Sequence, residues 1–134
     1  MYISPKEYYY LIIIFNSLNI MSLMVVNGSE MIRYNPSTSS IEASSSKGFS
    51  WSMRYRCSNM GRVRALTMHK GEIILCSDQG IYISKNSGKA WSKRNSSEKN
   101  FVDIQDMGNE LIATTSDGHL YASSSGGFSW FKRR

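Results

Sequence analysis

The chain has 134 residues, 41% of them apolar, and a formal charge of +6. That suits one domain with a buried core. The two cysteines and two histidines stand at no metal-ligand spacing, so neither a metal nor a cofactor is expected. From the N-terminus, Tyr2-Ile3-Ser4 lies 80 residues before Tyr82-Ile83-Ser84, and Tyr8–Phe15 reads as a short strand. Residues 1–19 are therefore expected to form a partial repeat unit or a segment covering one end of the domain, an amphipathic helix included. A secretion signal is the rival reading, with Lys6, an apolar run to Val26 and cleavage after Gly28. Asn16, Ser17, Asn19 and Ser22 interrupt that run, which argues against a signal and more strongly against a membrane-spanning helix.

The next 115 residues repeat. Each unit opens with an apolar run, a tight turn and a glutamate leading a second apolar run: Leu23–Val26 with Glu30, Ala65–Met68 with Glu72, and Val102–Ile104 with Glu110. Asn27-Gly28, Lys70-Gly71 and Gly108-Asn109 are hairpin signals between these runs. Further turns are expected at Asn35–Thr38, Ser77–Gly80 and Ser116–Gly118, then third strands at Ile41–Ser44, Ile81–Ser84 and Leu120–Ser123. Each third strand ends in the pattern S-x-x-x-G-x-x-W, which leads into a fourth. The copies end at Trp51, Trp91 and Trp130, so the intervals are 40 and 39 residues and all the tryptophans are used. Four short antiparallel strands in about 40 residues make one propeller blade. The expected fold is all-β, with three blades at about 20–60, 61–98 and 99–134.

The motif resembles the BNR or Asp-box repeat of sialidase-like and YCF48-like β-propellers, S/T-x-D-x-G-x-x-W. On that resemblance the structural set is Ser44, Ser46, Gly48 and Trp51; Ser84, Asn86, Gly88 and Trp91; and Ser123, Ser125, Gly127 and Trp130. The family's aspartate is replaced by Ser46, Asn86 and Ser125, which accept backbone N–H bonds more weakly than a carboxylate. The resemblance implies that the glycine frees the turn and that the tryptophan wedges between neighbouring sheets. It does not imply catalysis. The arginines lack the sialidase Arg-Ile-Pro setting, Glu30, Glu72 and Glu110 read as turn or strand-start residues, and no carboxylate pair stands out for glycoside hydrolysis.

Three or three and a half blades fall short of the four to eight that close a propeller. A homo-oligomer is the preferred solution, a dimer of six or seven blades completing a ring. A fragment of a longer gene, or completion by a different protein, are the alternatives. Arg54 and Arg56, Lys93 and Arg94, and Lys132 to Arg134 put a cationic cluster on each fourth strand. They protect an exposed edge or form a surface for an acidic protein or glycan. No motif supports nucleic-acid recognition.

The expected function is non-enzymatic binding or assembly through protein–protein contact, with a lectin-like propeller or a piece of a sialidase-like protein as alternatives. Candidate ligand contacts are Glu42, Tyr82 and Tyr121, at one repeat position, with Arg54, Arg56 and Arg94. His69, in a hairpin turn, and His119, opening a third strand, read as solvent-facing, and Cys57 and Cys76 as free thiols without excluding a disulfide. The compartment stays open, with soluble, secreted and periplasmic locations all compatible.

Overall fold

The computed structural model describes residues 23–133; the expectations for residues 1–19 lie outside them. Among the described residues, twelve strands form three separate four-stranded antiparallel sheets in chain order. The first blade is β1 (Met24–Asn27), β2 (Glu30–Asn35), β3 (Ser40–Ser44) and β4 (Ser52–Arg56). The second is β5 (Val63–His69), β6 (Glu72–Ser77), β7 (Gly80–Ser84) and β8 (Ser92–Asn95). The third is β9 (Phe101–Asp106), β10 (Leu111–Thr115), β11 (Leu120–Ser123) and β12 (Phe131–Lys132). β1 packs on β5 and β5 on β9, so the first strand of each blade is inner and the fourth, basic strand is an outer edge. The all-β, blade-type architecture agrees with the sequence reading.

No blade could be stable alone, because a four-stranded sheet of this size must bury at least one apolar face against something. Two cores result. Val25, Ile32, Tyr34 and Ile41 of the first blade meet Val63, Leu66, Leu75 and Tyr82 of the second. Ala65, Ile74, Cys76 and Ile81 on the second blade's other face meet Phe101, Ile104, Leu111 and Trp130 of the third. The middle blade is thus covered twice, and every residue of β7 is buried. Its strands accordingly read as continuous apolar runs instead of alternating ones.

The turn between third and fourth strands is the same in all three blades. Ser44, Ser84 and Ser123 accept the backbone N–H of Gly48, Gly88 and Gly127, each at 2.9 Å. Ser46 Oγ, Asn86 Oδ1 and Ser125 Oγ accept the N–H of Ser50, Ala90 and Ser129, again at 2.9 Å. The indole N–H of Trp51, Trp91 and Trp130 closes the turn on the carbonyl of its own glycine at 3.0 Å. Ser84 is 1% exposed, so Ser84→Ala strands the Gly88 N–H away from water. Such a loss costs about 1–3 kcal/mol, read as a lowered midpoint in urea with an unchanged slope. A midpoint equal to that of the unsubstituted chain contradicts this role for the serine.

The tryptophans are less uniform than the turn. Trp130 is buried beside Phe101, ring centroids 4.8 Å apart, and Trp91 packs against the first core. Trp51 corrects the expectation of an indole wedged between sheets: it is half-buried and carries the Arg33 guanidinium 3.9 Å above its ring. Each tryptophan lies toward the preceding blade, and among the described residues the first blade has none before it. His69 is a second correction, being 3% exposed with Nδ1 2.7 Å from Asp106 Oδ1. It ends an inner strand that faces the next blade, so the turn beside it is in solvent while the ring is not. Both cysteines are free and buried, and burial pushes the thiols up, Cys57 to about 11 and Cys76 to about 12.

Candidate functional site

A hollow of varied chemistry lies where the second and third blades meet. Its volume is about 260 Å³, and its lining includes Arg64, Asn100, Thr115, Asp117, His119 and Tyr121. The third blade supplies most of it through the β10–β11 turn. Thr115 builds that turn: its Oγ1 accepts the His119 N–H at 3.1 Å and donates to the Asp117 carboxylate, while its own N–H reaches the His119 carbonyl at 3.0 Å. Asp117 lies 3.5 Å from His119 Nε2. The Thr115 hydroxyl, followed by the His119 charge, holds the Asp117 carboxyl below its ordinary range, so it is an anion at neutral pH. Tyr121 rests on Phe101, centroids 5.3 Å apart, and lines the hollow.

Arg64 comes from the second blade. Its Nε and Nη2 lie 3.1 and 2.9 Å from Asp78 Oδ1, while Asp78 Oδ2 accepts the Arg62 N–H at 3.2 Å. The guanidinium is held in one orientation yet keeps a quarter of its side chain exposed, enough to offer unused N–H donors to a ligand. The hollow thus combines a cation, an anion, an imidazole, a hydroxyl and an aromatic ring. It is small and open, on the scale of one or two side chains of an extended chain. No cluster of three or more metal-ligating side chains occurs among the described residues.

Of the sequence candidates, Tyr121 alone lines this hollow. Glu42 sits on the first blade, bound to Arg33 Nε at 2.9 Å and Asn35 Nδ2 at 3.3 Å. Tyr82 is 8% exposed in the first core, with Lys93 Nζ 5.5 Å from its ring centroid. One repeat position therefore holds an ion pair, a core side chain and a pocket wall, and no set of equivalent ligand pockets arises.

Arg54 and Arg94 are joints between blades. Arg54 binds the Glu30 carboxylate, with Nη1 to Oε1 at 3.0 Å, and also donates to the Ser87 carbonyl of the next blade at 2.8 Å. Arg94 binds Glu72 at 2.9 and 3.1 Å and the Gly126 carbonyl at 3.0 Å. Arg56 is exposed at the end of β4, its Nη2 4.0 Å from Met53 Sδ. Sequence reasoning missed Arg64, Thr115 and Asp117 as site residues; the one available signal was a turn carrying both Asp117 and His119 opposite a basic strand start.

Comparison with known proteins follows the fold. No family model matches the chain, and no curated protein does. Among solved structures it is similar to the N-terminal domain of Nup159, at TM-score 0.64 and 12% identity over 85% of this chain and 34% of that one. It is similar to YCF48 bound to D1 peptide, at TM-score 0.63 and 18% identity over 81% and 37%. A GH74 enzyme of Niastella koreensis gives TM-score 0.53 and 19% identity over 81% and 18%. At these identities the likeness shows a propeller-type fold, and the chain spans about a third or less of each of those proteins. No helix among the described residues is long and apolar enough to cross a membrane.

Proposed function

We propose that this chain is a non-enzymatic protein-interaction module of the Asp-box propeller type, which holds an extended acidic peptide segment in the hollow between its second and third blades. The observation that carries this is the convergence of Arg64 and Tyr121 from different blades on one open polar hollow. An oriented guanidinium binds a carboxylate in two-pronged fashion, and a tyrosine face supplies apolar area at small entropic cost. The net charge of +6 and the exposed Arg56, Lys93 and Lys132 favour encounter with an acidic partner.

A binding role is also supported by where the acids are used. Glu30, Glu72 and Glu110 hold arginines, Glu42 holds Arg33, Asp78 holds Arg64 and Asp106 meets His69, so these carboxylates serve the scaffold. YCF48, one of the similar structures, was solved with a peptide bound. Association of copies into a closed array belongs to the same reading, because the three blades of the described residues leave one face of the first and one of the third uncovered among them.

A fluorescent library of extended acidic peptides, with neutral peptides of the same length as controls, tests the site. Arg64→Ala and Tyr121→Ala are each expected to weaken the best binder about tenfold, the loss of one charge-assisted hydrogen bond or one aromatic anchor. Binding untouched by both substitutions overturns the reading, and selective retention on a glycan array in their place would revive the lectin alternative.

A further inference from the structure

The joint between successive blades is built twice from the same parts. The turn glycine of the following blade lies on branched side chains of the preceding one. A Cβ on Gly88 would stand 3.0 Å from Ile41 Cγ2, and one on Gly127 3.3 Å from Ile81 Cγ2. Beside it, the fourth-strand arginine of the preceding blade donates to the carbonyl just before that glycine, Arg54 to Ser87 and Arg94 to Gly126. Each arginine is held in place by the glutamate of its own blade.

The third blade repeats the donor half of this joint. The Arg133 guanidinium grips Glu110 at 2.9 and 2.8 Å, yet among the described residues it meets no carbonyl. Its side chain is 52% exposed, against 16% for Arg54 and 8% for Arg94. Ile112 and Leu120 are half-buried where their counterparts Ile32, Ile41, Ile74 and Ile81 are fully buried. The first blade repeats the acceptor half: the Lys47–Gly48 turn has the same form, and a Cβ on Gly48 would meet only Met31 and Trp51 of its own blade. The two ends of the array are the two halves of one joint.

Charge agrees with this placement. Asp103 pairs with Thr114 in the sheet, as Ala65 pairs with Cys76 in the middle blade. Ala65 faces the following blade, so Asp103 holds the same place on the uncovered side, and its buried Oδ1 has no hydrogen-bond partner among the described residues. On the side of the first blade that no described residue covers, Arg33 occupies the position that Leu75 and Ala113 fill at the internal joints. Glu42 already holds Arg33 from one side, and the guanidinium keeps about a third of its side chain exposed, so it has donors left for a second acid.

We infer that a second copy of this chain docks head to tail, third blade against first, with the Arg133 guanidinium donating to the Lys47 carbonyl, the Gly48 turn seated on Leu120 and Ile112, and Arg33 facing Asp103. Two such seams bring six blades into one ring, within the range of closed propellers. The inference rests on the association of copies in the proposed function and is separable from the peptide site.

Sedimentation velocity of the full chain over a concentration series tests it. The chain is expected to dimerise, and Arg133→Ala to weaken the dimer about tenfold or more per seam, the loss of a hydrogen bond from a charged donor. Polarity is read by mixing one variant carrying Lys47→Cys with another carrying Lys132→Cys and adding a short bismaleimide, to which the buried Cys57 and Cys76 thiols are inert. The mixed 47–132 product is expected to dominate both self-products. A monomer at every concentration, or self-products in excess, overturns the inference. Peptide binding by the Arg133→Ala monomer, with Arg64→Ala as its control, shows separately whether the hollow works.

Discussion

Gly80→Ala is expected to leave little folded protein. Gly80 opens β7 with φ +131, a backbone conformation that side-chain-bearing residues rarely adopt. The new methyl would also drive into the Asn95 carbonyl oxygen, and the next nearest atoms, Asn95 C at 3.1 Å and Ser96 Cα at 3.2 Å, are backbone as well. That backbone cannot give way cheaply. Asn95 pairs with Ile81 in the sheet, its Nδ2 donates to the Phe128 carbonyl of the third blade at 2.9 Å, and its Oδ1 accepts the N–H of Ser97 and Glu98. Relief of the clash would part β7 from β8 and loosen the joint to the next blade together. The cost is expected to exceed about 4 kcal/mol, a large share of a domain's whole stability. Gly71→Ala is the control: its φ is +80, but nothing lies within 4 Å of the added methyl. It should cost about 1–2 kcal/mol of backbone strain. Thermal unfolding of the two variants separates conformation from collision, and a Gly80→Ala melting midpoint equal to that of Gly71→Ala refutes the steric argument.

The same contrast explains how much could be read from the chain. Strands and turns were legible because their causes are local: a glycine, a serine accepting the N–H four residues on, an indole three residues beyond its glycine. What the sequence hid were relations that cross from strand to strand or blade to blade. The recurrent glutamates and the recurrent basic clusters are both visible in the sequence, yet along the chain they read as unrelated, the first as turn residues and the second as surface charge. Their separations are 24, 22 and 23 residues, but second and fourth strands are not sheet neighbours, since β3, β7 and β11 lie between them. Only the packed blade shows a long arginine reaching past the middle strand. Arg64 escaped for the same reason, because its hollow is completed by a turn from the next blade. Glu42, Tyr82 and Tyr121 misled as a set, since one register position meets no preceding blade among the described residues, a core and a pocket in turn.

Arg94→Ala is expected to be the most damaging substitution at a charged position and to change how stability responds to acid. Its side chain is 8% exposed and meets the Glu72 carboxylate, the Gly126 carbonyl and the Phe128 ring, 4.4 Å from the guanidinium to the centroid. Truncation leaves a largely covered carboxylate and a backbone carbonyl without their donor. Breaking such a pair from one side costs about 3–5 kcal/mol when buried, and about 3 here because Glu72 keeps a fifth of its side chain in water. The hydrogen bond from Arg94 is the main cause that holds the Glu72 carboxyl below its ordinary value of 4.5. A carboxyl lowered by folding stabilises the native state in full above its unfolded value, and that contribution fades as the pH falls through the folded one. Urea unfolding from neutral pH to about pH 3 should therefore show a falling stability in the unsubstituted chain and a shallower fall in Arg94→Ala. Part of the slope must survive, since Arg54 lowers Glu30 by the same route. Parallel curves for the two proteins would mean that Glu72 takes no proton on unfolding that it lacks when folded, and the arginine joint would then be packing without electrostatics.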